Sequence, residues 1–279
     1  SMITNVFYAS RSQHSVENKD HNVPSVKLAN TRIEKLSKTT TSSVFGILNR
    51  TSFFREGLGS VLIDDHFDIH QTFATPKRTP STSTLPYPYG TGVASDAAFT
   101  NIDYKQLQTA VAQAFVEDNE EFQKNTRAVV VLYKDQLIAE EYGADFNKNT
   151  PFLGWSMAKS LLATVVGVLE YQKKIDVHKP VVGLLNLKNW EKDGRSKITT
   201  DHLLKMASGL DWEEDYTKIS DATKMLFLER DMTKTQMQKE LKHEPGTHFN
   251  YSSGTTNLIS GILRSQFKTH QAYLDFPYT

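Results

Sequence analysis

The most apolar stretch of the chain, Leu161 to Leu169, sets the first limit on what it can fold into. It is about half the length that a membrane-spanning helix needs. Its apolar residues recur at helical spacing instead, with Leu162, Val165, Val166 and Leu169 on one face. The small residues Ala158, Ala163 and Gly167 would let such a helix sit close to its neighbours. The segment therefore reads as the central helix of a globular domain. A chain of 279 residues, 38% of them hydrophobic, is long enough to bury it.

The rest of the chain divides by composition. Residues 1–43 are polar and weakly periodic, and read as a mobile leader arm. Residues 44–99 form an extended N-terminal segment that packs on the domain. Within it, residues 44–69 are more apolar. Residues 74–92 carry Pro76, Pro80, Pro86 and Pro88, the mark of an extended connector over a surface. Residues 100–279 form the domain proper. Tyr104 to Val116 places Leu107, Val111, Ala114 and Phe115 on one helical face. Ala128 to Tyr142 reads as a hairpin turning at Lys134-Asp135. Thr199, Thr200 or Asp201 can cap a helix opening over Ile198 to Leu204, with Gly209 suited to its end. Glu244 to Thr247 is a turn, followed by the helical pattern Asn257 to Ser265.

Charge and cysteine content remove several functions. Lys plus Arg and Asp plus Glu are both 32, so no basic excess points to nucleic acid or to an anionic membrane surface. The absence of cysteine rules out disulfides, thiolate catalysis and iron–sulfur ligation. No basic stretch followed by an apolar one opens the chain. Ser1 before Met2 has the form of a protease scar, consistent with a leader already removed.

Three places could carry chemistry. Ser156-Met157-Ala158-Lys159 is a Ser-x-x-Lys element. The bare pattern occurs again at Ser265 to Lys268, but there it lies in a polar run with no apolar helix behind it. Positions i and i+3 share a helix face. A helix starting near Trp155 would bring the Ser156 hydroxyl and Lys159 ammonium together at its positive end. A serine needs a base to become a nucleophile, and a desolvated Lys159 is a candidate. Tyr251, in Tyr251-Ser252-Ser253, could shuttle a proton beside an ammonium group; the alternative is a core tyrosine on a turn. The acidic loop Glu213, Glu214, Asp215, Tyr216 is a solvated loop or the lining of a cleft that reads an ammonium group. His66 and His70 lie four apart but lack a third ligand for a metal site.

Together these segments resemble a known family. Gly154 to Ser160, Ile198 to Leu210 and Pro245 to Gly254 look like consecutive landmarks of the serine β-lactamase-related hydrolases, which include class C β-lactamases, D-alanyl-D-alanine carboxypeptidases and esterases. The hairpin and the phrase Phe152 to Ser156 are most similar to the 6-aminohexanoate-dimer (nylon-oligomer) hydrolase branch. The resemblance covers roughly residues 125–279. It implies an α+β fold, with an antiparallel sheet flanked by helices plus a helical subdomain. It implies Ser156 as nucleophile, Lys159 as its activator and Tyr251 as proton shuttle. Trp155, Ser253, Asp215 and Tyr216 would line the substrate site. The substrate would be a small or peptide-like amide or ester, with neither metal nor organic cofactor, in an extracytoplasmic setting.

The sequence departs from the family pattern in three ways. Ser253 stands where many relatives have the asparagine of Tyr-x-Asn, replacing an amide by a hydroxyl. Ser220-Asp221-Ala222 does not match the Ser-Asp-Asn of class A enzymes. No Lys-Thr-Gly or His-x-Gly strand follows Tyr251, so the family domain is expected to be incomplete at its C-terminal side. One way to complete the sheet is for residues 44–69 to add a strand to the hairpin. Two functions follow: a serine hydrolase working through an acyl-Ser156, or a relative that binds peptide-like ligands without turnover. A penicillin-binding carboxypeptidase is a subclass alternative of the first.

Overall fold

The computed structural model describes residues 28–278 apart from 57, 65, 81, 93–98, 118–122, 151, 153 and 186. Two compact units form: one joins the residues up to Arg78 to those from Met157 onward, and the other comprises Thr79–Ser156.

The first unit opens with a four-stranded antiparallel meander, β1 (Ala29–Glu34), β2 (Thr39–Val44), β3 (Leu48–Arg55) and β4 (Gly59–Ile63). Each strand pairs with its sequence neighbour, so tight turns suffice. The β2–β3 turn holds Phe45 and Gly46 at φ 54° and 69°, the mirror-image turn whose twist suits a hairpin. Its buried residues are mostly hydroxylic: Thr31, Thr39, Thr40 and Ser52, with Phe53. Thr31 pairs with Ser42 and Thr41 with Thr51 across the strands, each at 2.9 Å.

This sheet corrects two expectations. The arm expected over residues 1–43 is sheet from Ala29 onward, while residues 1–27 lie outside the described part. Residues 44–69 do supply strands, but β3 pairs with β2 and β4 with β3, in a sheet separate from the β5–β6 pair. The connector expected over residues 74–92 is extended over part of its length at most. Residues 74–78 form no regular element, with the Gln271 amide donating to the Thr75 carbonyl at 2.8 Å and the Lys77 N–H to Asp275 at 2.7 Å, whereas residues 83–92 turn back on themselves, the Gly92 N–H donating to the Leu85 carbonyl at 2.9 Å.

In the second unit, the Asp103 carboxylate accepts from the Gln106 N–H and starts α1 (Tyr104–Ala114). The hairpin β5 (Ala128–Tyr133) and β6 (Gln136–Tyr142) follows. Lys134 and Asp135 turn it at φ 46° and 60°, as read from the sequence. Among the described residues, the hairpin is a two-stranded sheet.

The first unit resumes with the helices α2 (Ala158–Tyr171), α3 (Thr200–Leu204), α4 (Asp221–Phe227), α5 (Met232–Met237), α6 (Ser253–Ser265) and α7 (His270–Asp275). Its core gathers Val166 and Leu169 of α2, Trp190, Ile198, Leu203, Leu210, and Leu258, Ile259, Ile262 and Leu263 of α6. Each such side chain, when fully buried, contributes about 1.5–3 kcal/mol as an upper estimate. The central helix is therefore α6 and not α2. Only Val166 and Leu169 of α2 are buried, and open space surrounds the position a Cβ on Gly167 would take. The α3 cap is Thr199, as expected. The helix stops at Leu204, however, and Met206 takes the left-handed position (φ 54°) before Gly209 does so again (φ 77°).

Candidate active site

The site is built around the first turn of α6. Ser252 caps this helix, its hydroxyl accepting from the Thr255 N–H at 2.9 Å. The next residue, Ser253, is thereby placed with its free N–H pointing out of the helix end, and that N–H donates to Glu214 at 2.8 Å. The loop that carries Glu214 is fixed from both sides. The Asn250 amide holds the Trp212 carbonyl at 3.1 Å, and the Asp221 carboxylate accepts from the Glu213 N–H at 3.0 Å.

Glu214 is the hub. One carboxylate oxygen accepts from the Trp212 indole N–H at 2.5 Å and from the Ser253 N–H. The other accepts from the Tyr216 and Ser253 hydroxyls, both at 2.5 Å. Lys159, in the first turn of α2, completes the cluster. Its ammonium donates to the Ser253 hydroxyl oxygen at 3.1 Å and lies 4.9 Å from the centroid of the Tyr251 ring. A cation against an aromatic face is held by the ring quadrupole, by about 0.5–2 kcal/mol.

Lys159, Tyr251, Ser253 and Tyr216 are thus brought together, as the sequence suggested. Asp215 turns elsewhere: its carboxylate accepts from the Thr217 N–H and hydroxyl at 2.8 and 2.7 Å, and Lys218 lies 3.8 Å away. Trp155 and Ser156 close the second unit, in a 3₁₀ turn (Trp155–Met157) that runs straight into α2. Ser156 is exposed there. Trp155 holds φ at 42°, a left-handed conformation that costs a non-glycine residue about 1–2 kcal/mol. Strain of this kind collects at functional sites.

The sequence named Glu214 only as part of an acidic run, read as a solvated loop or the lining of a cleft, and gave it no part of its own. Its partner Ser253 is far along the chain, and only the fold joins them. A signal was present in Trp212 and Tyr216 on either side, two aromatic donors spaced to flank one carboxylate.

Burial pushes the Glu214 carboxyl up, but its hydrogen bonds from Ser253, Tyr216 and Trp212 outweigh this and hold it below the usual carboxylate range. Burial and the bond to Glu214 raise the Tyr216 phenol, keeping it a donor. Such a Glu214 binds fewer protons folded than unfolded, so its stabilising effect is full above the unfolded carboxyl pKa. That effect is lost as pH falls through the lower folded value. The urea midpoint of Glu214→Gln should accordingly lie below that of wild type at pH 7 and approach it in acid. A constant gap between the two curves down to pH 2 would contradict this.

Among the described residues, no cluster of three or more His, Asp or Glu could hold a metal ion, and no helix is long and apolar enough to cross a membrane. His66 and His70 sit in irregular backbone, not on a helix.

The β-lactamase family profile matches residues 111–277, more than half of the chain. The chain belongs to the β-lactamase family, and its α+β architecture of antiparallel sheets and helices is of that kind. Two solved structures share the likeness. A Bacillus anthracis protein with the inferred name 6-aminohexanoate-dimer hydrolase is 18% identical, over 67% of this chain and 48% of its own, with a TM-score of 0.45. An inferred β-lactamase from Bacteroides dorei DSM 17855 is 19% identical, over 59% of this chain and 46% of its own, with a TM-score of 0.44. This chain spans about half the length of each.

Proposed function

We propose that the chain acts as a serine hydrolase on an amide or ester bond, through an acyl-enzyme on Ser156. The observation that carries this reading is the seat of Lys159: its ammonium is held between the Ser253 oxygen and the Tyr251 ring at the start of the helix that Ser156 leads into. Family membership supports the same chemistry.

In this reading Lys159, in its neutral form, takes the Ser156 hydroxyl proton as Oγ attacks the carbonyl carbon. The carbonyl π electrons move to oxygen, and the N–H groups at the start of α2 favour the resulting negative charge. Collapse of the tetrahedral species breaks the bond to the leaving amine or alcohol, which takes a proton by way of Tyr251. Water then attacks the ester on Ser156 and gives its proton to the same base, releasing acid and free serine. Trp155, Ser253 and Tyr216 border the substrate in this scheme, while Asp215, bonded to Thr217, takes no part.

Incubation with a serine-directed phosphonylating probe, followed by intact-mass measurement and peptide mapping, tests the assignment. One adduct per chain, on the peptide carrying Ser156, is expected. An adduct on another serine would sink it. An acyl adduct that forms with esters and is never released would instead mark a ligand-binding relative without turnover.

A further inference from the structure

The scheme above leaves Glu214 without a part, although it is the most heavily bonded side chain of the cluster. Its two oxygens receive four donors, from Trp212, Tyr216, the Ser253 N–H and the Ser253 hydroxyl. A carboxylate, which only accepts, can satisfy all four. An amide of the same shape has one accepting oxygen and would turn its own N–H groups towards the other donors.

The consequence falls on Ser253. A serine hydroxyl has one proton, and here it is committed to Glu214 at 2.5 Å. Towards Lys159 the oxygen can then offer only a lone pair, and it does so at 3.1 Å. The direction of the chain from Lys159 through Ser253 to Glu214 is fixed, because reversing it would require a proton on Glu214. We propose that Glu214 is a positioning residue for Lys159, acting through the Ser253 hydroxyl; the proposal rests on Lys159 being the base for Ser156. The hydroxyl of Ser253 is an acceptor at every stage, so Lys159 keeps one fixed anchor whether it holds the extra proton or has given it up. For a ligand, Ser253 likewise offers an acceptor to an N–H and no donor to a carbonyl.

The groups facing Glu214 come from several elements: Trp212 and Tyr216 from its own loop, Ser253 from α6, and Lys159 from α2 through Ser253. Lys239, beyond α5, lies 5.8 Å from the Trp212 ring and is paired with Asp221 at 2.6 Å.

The test is a two-by-two comparison on the full chain: wild type, Glu214→Gln, Ser253→Ala and the double variant. Each is followed with the phosphonylating probe for its maximal rate of adduct formation and its half-saturating concentration. Each single variant should lower the maximal rate about 10- to 100-fold, the cost of a base displaced by about an ångström, and in Glu214→Gln the loss should fall on the maximal rate more than on half-saturation. The double variant should fall no further than the worse single one, because both break one chain. A purely structural role would lower thermal stability without this shared loss in rate. Single variants near the wild-type rate, or losses that multiply, would overturn the proposal. Should Glu214→Gln not fold, Ser253→Ala decides alone, since it leaves the other bonds of Glu214 in place; a wild-type rate there overturns the proposal. No adduct on the wild-type chain would overturn the hydrolase reading and this proposal with it. An adduct on wild type with unaffected variants overturns this proposal only.

Discussion

Ser156→Ala should abolish uptake of a serine-directed probe and reduce hydrolysis of any amide or ester substrate by about 10³- to 10⁶-fold. In the proposed scheme this substitution removes the oxygen that forms the acyl bond. Stability should hardly change. Ser156 is exposed in a 3₁₀ turn, and substitutions at such positions stay within about 0.5 kcal/mol. The loss of rate can therefore be separated from folding by recording melting temperature and turnover on the same sample. Retained hydrolysis at an unchanged melting temperature would mean that the reaction uses another residue.

Gly254→Ala should be a strongly damaging small change in the helical core. Gly254 is buried in the first turn of α6, next to Ser253. A Cβ there would lie 2.3 Å from the Gln236 side-chain oxygen and 2.5 and 2.8 Å from two carbons of the Trp212 ring. Gly to Ala in a helix normally gains up to about 1 kcal/mol. Overpacking of a rigid ring costs about 1–3 kcal/mol, so the clash should win and lower the melting temperature by several degrees. The damage should spread to activity, because moving Trp212 withdraws the indole donor from Glu214. A variant as stable and as fast as wild type would show that the ring has room to shift, and would contradict the close packing at α6.

How much of this was readable in the chain differs from element to element. The β5–β6 hairpin and the α3 cap were plain, because their signals are local: a β-branched run with a two-residue turn, and a threonine before a helix. The β1–β4 meander was hidden, since the residues it buries are Thr and Ser, so polar and buried positions do not alternate in the usual way. The Thr-rich run of β2 was the clue that could have revealed it. The prominence of α2 was overestimated for the opposite reason. The face read from its periodicity does pack, with Val166 and Leu169 buried and Leu162 and Val165 against the core, but periodicity does not say how central a helix is. Lys159, Tyr251 and Ser253 stand in motifs that single them out. Glu214 stands in none, because its contact with Ser253 joins a loop to the first turn of α6, which no local pattern encodes.

The Lys159–Tyr251 contact has a consequence for how the two residues can be taken apart. The ammonium lies over the ring, 4.9 Å from its centre. A ring without its hydroxyl offers much the same face to a cation. Tyr251→Phe is therefore a clean excision: it keeps the cushion and deletes the handle. Whatever that variant loses belongs to the oxygen alone, and whatever it keeps measures how far the lysine can work from its aromatic seat unaided.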